Sequence, residues 1–359
     1  MFPPRLAADD PRLAGRHLLA LPDDVAAEEV EVLALSRFVG SRWETPVPAT
    51  APRGRAARDP MAGVGVLRLS RHSSAVGPFA LTADDVARLG LPDGTATAFL
   101  VATPRERGEP PYPGGDRDGL KRAFPDAVPV RDEERVLRWL VDAARRLAGA
   151  VRVADGAAVL VPDVGAGIDL TVYSDTWLDP ASGLAVVQRA APSARLAMDG
   201  VPWAGPATSP ATGPSAAGAP GVGAGAALTG LGERVRRRLH ARADEWDATA
   251  LTAPDELDGY GVEVDLGADG LVVVEAGGDD VVPLVLRGLP WTADGVATYR
   301  VRWEPADVEE LEREHPSAGH AASRTRAQAF VTAFARELQA VVGGEIADAA
   351  EFLVDPGDL

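Results

Sequence analysis

The chain has no cysteine. That excludes disulfides, thiolate metal sites and cysteine nucleophiles together, and it fits a reducing compartment. Lysine is nearly missing as well: Lys121 is the only one among 36 Lys and Arg residues. With the heavy use of Ala, Gly and Pro, this is a mark of high-GC coding rather than of mechanism. No long hydrophobic run occurs. The apolar stretches 271–274 and 281–286 are far too short to span a bilayer. Residues 1–24 hold arginines but no unbroken apolar segment, so no secretory signal and no membrane partner are expected. A cytoplasmic location follows as the expectation. Excess positive charge is also lacking: the net charge is −17 and the pI is near 4.8. Such acidity argues against a nucleic-acid partner, which calls for a basic face, and serves solubility instead.

Catalytic signatures are missing too. The run Arg68-Leu69-Ser70-Arg71-His72-Ser73-Ser74 sets a serine beside a histidine, but without the Gly-x-Ser-x-Gly elbow that lifts a nucleophile off a strand end. Triad members meet in space, so adjacency in sequence is no support. Gly221-Val222-Gly223-Ala224-Gly225 has too little spacing for the dinucleotide fingerprint and follows no strand, and there is no Walker A sequence. The five histidines are His17, His72, His240, His315 and His320. His315 and His320 are spaced through Pro-Ser-Ala-Gly as in a loop, whereas two ligands on one helix face sit three or four apart. The histidines are expected at the surface, with no metal and no cofactor.

What the chain does contain is internal similarity. Gly63-Val64-Gly65-Val66 is echoed by Gly259-Tyr260-Gly261-Val262, Gly90-Leu91-Pro92 by Gly288-Leu289-Pro290, and Ala96-Thr97-Ala98-Phe99 by Ala297-Thr298-Tyr299-Arg300. A helical stretch running into Gly149 is matched by one running into Gly343. Aligning those glycines pairs Val136 with Phe330, Leu140 with Phe334, Ala144 with Leu338 and Leu147 with Val341, all apolar and on one stripe. Pro162 then falls opposite Pro356. A helix over 26–39, followed by Trp43, pairs more weakly with 231–243, followed by Trp246. A repeat of this kind decides the whole architecture, and 359 residues accommodate two domains.

Local signals fill in the elements. Thr82 with Asp84 and Asp85 reads as a helix start. Residues 132–148 read as the best helix, with Asp132, Glu133 and Glu134 at the end where the dipole favours anions and Arg145 and Arg146 at the other. Trp139 falls on its apolar side as a core or interface residue. The matching helix spans 326–342. Strands are predicted at 63–69, 96–102, 157–161, 168–173, 262–266, 271–275, 281–286 and 296–303. Residues 46–60 and 103–117 are Pro-rich loops, and 204–230 is an Ala/Gly/Pro linker without large apolar side chains. The arginines from 234 to 242 form a basic patch that Asp244, Glu245 and Asp247 reverse at once, as on a solvated helix.

Strands followed by one long helix and further strands do not alternate as a doubly wound sheet would. The expected fold is therefore α+β: two tandem, duplicated units, each a mostly antiparallel sheet with one long helix packed on it. The boundaries read as an N-terminal extension with a helix (1–59), a first unit (60–203), the linker (204–230) and a second unit (231–359). The segment from Asp163 to Trp177 stands out. It gathers Asp163, Asp169, Asp175, Tyr173 and Trp177, with Asp169, Thr171 and Tyr173 on one strand face, and it reads as an addition to the first unit with no counterpart in the second. These five are the candidate pocket residues. The function expected is a non-catalytic soluble binding or scaffold protein with a protein partner or small-molecule ligand. The rival is an enzyme, such as a hydrolase, with a carboxylate-lined site between the units.

Overall fold

The computed structural model describes residues 3–48, 61–154, 156, 158–197, 201–202, 256–257 and 259–359. The expected linker at 204–230, the pairing of 231–243 with the first helix, the arginine patch and His240 lie outside these residues, as does most of the loop 46–60.

Among the described residues two antiparallel sheets of seven strands each dominate the fold, with helices packed on them. The first sheet contains β1 (His17–Leu21), β2 (Arg42–Thr45), β3 (Gly65–Arg68), β4 (Ser74–Ala80), β5 (Thr97–Ala102), β6 (Ala150–Arg152) and β7 (Val159–Leu160). Its spatial order is β2-β3-β4-β5-β1-β6-β7. Helix α1 (Ala27–Arg37) follows β1, α2 (Ala83–Leu89) joins β4 to β5, and the short α3 (Leu120–Ala123) and long α4 (Arg131–Arg146) lie between β5 and β6. The second sheet contains β8 (Leu170–Ser174), β9 (Arg195–Ala197), β12 (Gly259–Asp265), β13 (Leu271–Asp279), β14 (Val296–Glu304), β15 (Glu345–Asp348) and β16 (Leu353–Val354), with α5 (Pro180–Ala190) after β8 and α6 (Ala318–Val342) after β14. Strands β10 (Val201–Pro202) and β11 (Glu256–Leu257) form a separate parallel pair.

The order of the second sheet, read from its far edge, is β9-β12-β13-β14-β8-β15-β16. This is the connectivity of the first sheet strand for strand. One unvarying displacement along the chain carries β1 onto β8, α1 onto α5 and Arg42 of β2 onto Arg195 of β9. Cross-strand pairing extends the match over the whole sheet. The row Trp43–Leu67–Ala75–Val101 corresponds to Leu196–Val262–Val274–Val301. The row Phe99–Leu19–Val151–Leu160 corresponds to Tyr299–Val172–Ile346–Val354. Every one of these side chains belongs to, or packs against, the core between its sheet and its helices.

The structure thus moves the start of the second unit. The segment leading into Trp177 is not an addition to the first unit: β8 hydrogen-bonds between β14 and β15, in the middle of the second sheet. Nor is the chain before residue 60 an extension, because β1 is an inner strand of the first sheet and α1 packs on its core. The counterpart of α1 is α5. Letter matching also slips by one residue at several landmarks. By strand register Gly65 corresponds to Tyr260 and Phe99 to Tyr299. The same shift in the long helices brings Val136, Trp139, Leu140, Ala143 and Leu147 opposite Val331, Phe334, Ala335, Leu338 and Val342, all buried or packed on the core, while Val341 faces solvent. The strand expected at 281–286 is instead a loop with a 3₁₀ turn at Leu284–Leu286.

Local chemistry explains the helices. Thr82 caps α2 by accepting from the Asp85 amide, and Asp85 accepts in return from the Thr82 amide at 3.1 Å. Ser317 caps α6 through the His320 amide. Trp139 is fully buried on α4 and donates its indole N–H to the Leu33 carbonyl of α1 at 3.0 Å, with Phe38 edge-on to its ring. Gly183 of α5 sits against the Tyr260 ring, where a Cβ would collide with the phenol.

The other faces of the two sheets differ. In the first sheet Leu18, Ala20, Phe79, Ala98, Leu100 and Ala150 point away from α4 and form a second core with Leu6, Leu13, Val86 and Leu89. Residues 4–6 run alongside β4, exchanging backbone hydrogen bonds with Ala80, and Arg5 clamps Asp85 of α2. In the second sheet the corresponding positions hold Thr171, Tyr173, Thr298, Arg300 and Glu345, and the face carries the ion pairs Arg195–Glu263, Arg302–Glu275 and Arg300–Asp279. Among the described residues, only the loop through Val282, Leu286 and Val296 covers one end of it, over Tyr173 and Ala347.

The units meet along α1, α3 and α4 of the first and the β15–β16 turn, the 284–286 turn and the approach to α6 of the second. Phe352, fully buried, inserts from the second unit into the core of the first. Arg37 donates to the Ala350 carbonyl at 2.9 Å, Arg122 pairs with Glu314, and the Asp116 amide donates to the Glu312 carbonyl. No described helix is long and apolar enough to cross a membrane.

Candidate functional site

The repeat places two cavities on the seam between units. One, of about 490 Å³, is lined by Arg37, Lys121, Glu134, Arg138 and Asp142 of the first unit and Ala349 of the second. The other, of about 310 Å³, lies between Asp142, Arg145 and Arg146 and the residues Gln328, Thr332 and Asp348. Their carboxylates are engaged. Burial pushes the Asp142 carboxyl above its ordinary range against the pull of Arg145 and Arg37, which donate to it at 2.9 and 3.1 Å. Burial likewise raises Asp348, whose oxygen accepts from the Ala350 and Phe352 amides and so shapes the turn that delivers Phe352 to the other core.

The five residues singled out from the sequence do not come together. Asp163 sits in the connection between units. Burial would raise its carboxyl, but the Gly165 amide and Arg324, which donates at 2.7 Å, hold it below the ordinary range. Asp169 precedes β8 and accepts from the Trp303 amide at 3.0 Å; burial raises its pKa. Tyr173 lies on the far side of β8 from α6, as the alternation predicts, but it packs in an apolar cluster, and burial raises its phenol. Asp175 and Trp177 follow β8 and do share a site, a cavity of about 540 Å³. Its other walls are Gly278, Asp279 and Asp280 at the end of β13, Pro290, Trp291, Asp294 and Gly295 of the loop to β14, and the first residues of β14. Trp177 is held edge-on against Tyr260, ring centroids 5.6 Å apart. The Tyr299 hydroxyl, pushed up to about 12 by burial, donates to the Thr176 carbonyl and accepts from the Leu178 amide, which fixes the backbone on both sides of Trp177.

Sequence reasoning missed Trp291, Asp280 and Asp294. The signal was present: Trp291 directly follows the repeated Gly-Leu-Pro, and Asp280 ends a Gly-Gly-Asp-Asp turn. The histidines also depart from expectation. His17 is fully buried; its Nδ1 accepts from the Ala154 amide and its Nε2 faces the buried Glu133, which Arg107 also contacts. His320 is buried against the Trp303 ring, and burial lowers its pKa, with Arg324 adding to the effect. Ser70 and Ser73 both bond the Asp132 carboxylate, but His72 is exposed and contributes only its backbone amide to Ser70, so the serine–histidine run makes no relay.

No protein-family model matches the chain, and no curated protein and no solved structure matches it.

Proposed function

We propose that this is a non-catalytic binding protein whose ligand is a small molecule seated in the cavity of Asp175, Trp177 and Trp291. The observation that carries this reading is the contrast between topologically equivalent places. In the first unit the connection from β4 to β5 is a helix that, with residues 4–6, fills the space over the sheet. In the second, the connection from β13 to β14 is built of 3₁₀ turns, and it leaves a cavity walled by two indoles. Its volume suits a metabolite-sized ligand. The seam carboxylates, each engaged by arginines or turn amides, favour a structural role over the rival hydrolase.

Thermal unfolding of the full chain against a metabolite panel tests this. At least one compound should raise the midpoint of the wild type, by mass action, and leave Trp291→Ala unchanged, and it should be recovered intact after incubation. If stabilising compounds act equally on Trp291→Ala, or are turned over, the reading fails.

A further inference from the structure

We infer that the cavity takes an organic cation, an ammonium group with an apolar surround. The inference rests on the cavity being the ligand site and adds the ligand's charge class. Four carboxylates border the space: Asp175, Asp279, Asp280 and Asp294. No Lys, Arg or His is among its described lining residues. Asp279 is committed at both oxygens: Arg300 donates to one at 2.6 Å and the Val281 amide to the other at 2.8 Å. Among the described residues Asp175 accepts only the hydroxyl of its neighbour Thr176. Asp280 and Asp294 are exposed and have no hydrogen-bond or ion-pair partner among the described residues. A site that leaves three of its four carboxylates without an ion-pair partner among the described residues, in a chain of net charge −17, repels anions and concentrates cations.

Two further observations separate an organic cation from a metal ion. Among the described residues no three His, Asp or Glu side chains converge closely enough to hold a metal. Carboxylates that do not converge in threes suit a bulky cation better than a compact one. Second, both Trp177 and Trp291 line the same space. Indole faces attract cations through the ring quadrupole, most strongly when the cation is poorly hydrated, as alkylated ammonium groups are. Carboxylate and indole walls disfavour phosphate and carboxylate ligands, which they would repel.

Isothermal titration of the full-length protein at low ionic strength decides the matter, using choline chloride and its neutral carbon isostere 3,3-dimethylbutan-1-ol. Choline should saturate a single site, and the alcohol should bind at least about 10-fold more weakly. Trp291→Ala and the pair Asp280→Asn with Asp294→Asn should each weaken choline about 10-fold at a temperature where circular dichroism shows each variant folded. Equal affinity for the alcohol, lost in Trp291→Ala, would overturn the cation assignment and leave the cavity as a ligand site. Choline binding untouched by both variants would overturn both readings. Absence of choline binding would overturn the cation assignment, while the metabolite panel still reports on the cavity.

Discussion

The first and second units share one strand order and differ, among the described residues, in how many faces of the sheet they bury. At the position where β5 of the first sheet has Leu100, 1% exposed, β14 of the second has the exposed Arg300. Where β6 has the buried Ala150, β15 has the exposed Glu345. The helix-facing positions do not diverge in this way: Leu19 and Val172, Val101 and Val301, Val151 and Ile346 are all apolar and buried. Connectivity therefore goes with the shared core, whereas the second face is free to become either a second core or a polar surface. What decides is the connection between the fourth and fifth strands of each sheet. Helix α2 offers Val86 and Leu89 to the first sheet, while the corresponding loop of the second offers Val282, Val285, Leu286 and Trp291 at one end. The space so released is where the indole-walled cavity opens.

Substitutions sharpen this contrast, and the largest effect falls where the units join. Phe352→Ala removes the side chain that fills the neighbouring core and should cost about 3–5 kcal/mol in urea unfolding. A cost below about 1 kcal/mol would mean that the two units do not depend on that contact. Next come equivalent positions: Leu100→Ala should cost about 2–5 kcal/mol, Arg300→Ala no more than about 0.5 kcal/mol. Comparable losses would show that the second face of the second sheet is covered after all.

Buried carboxylates in the two units should respond to pH in opposite senses. Arg5, with the hydroxyl and amide of Thr82, holds Asp85 well below the usual carboxylate range in the folded state. Its contribution is therefore complete above the unfolded value near 3.8 and lost as pH falls through the folded one. Asp85→Asn should cost roughly 2 kcal/mol at pH 7, a gap that closes at acid pH. Burial raises Asp169, so the wild type gives up stability there as pH rises through the folded value. Asp169→Asn keeps an acceptor for the Trp303 amide and should stabilise by less than about 1 kcal/mol at pH 7, with no gain near pH 3. Denaturation midpoints at the two pH values check both signs.

The sequence displayed its periodic and capped features openly. The acidic start of α4, the Thr82 cap and the apolar stripe with Trp139 all read correctly because each is set by neighbours within a turn or two. Strand partnership is set elsewhere. Leu170 to Ser174 looks the same whether it pairs with the first sheet or the second, and only the hydrogen bonds to β14 and β15 place it. Matching letters also favoured glycines and alanines, which recur by composition; the conserved quantity was the burial of a face, as in Phe99 and Tyr299, one position away. The candidate site was half legible. Asp175 and Trp177 line the cavity, but Trp291 and Asp294 reach it from more than a hundred residues further on, across a loop that reads as a strand.

The absence of cysteine allows a direct test of where the second unit begins. Thr171 of β8 lies opposite Arg300 of β14, on the exposed face of the second sheet. In the double variant Thr171→Cys, Arg300→Cys, mild oxidation should close an intramolecular disulfide, seen as a loss of two free thiols and of two mass units in the monomer. Two persistently free thiols, with a crosslink appearing instead when Thr171→Cys is combined with Arg152→Cys of the first sheet, would place that strand in the first unit and contradict the repeat as described.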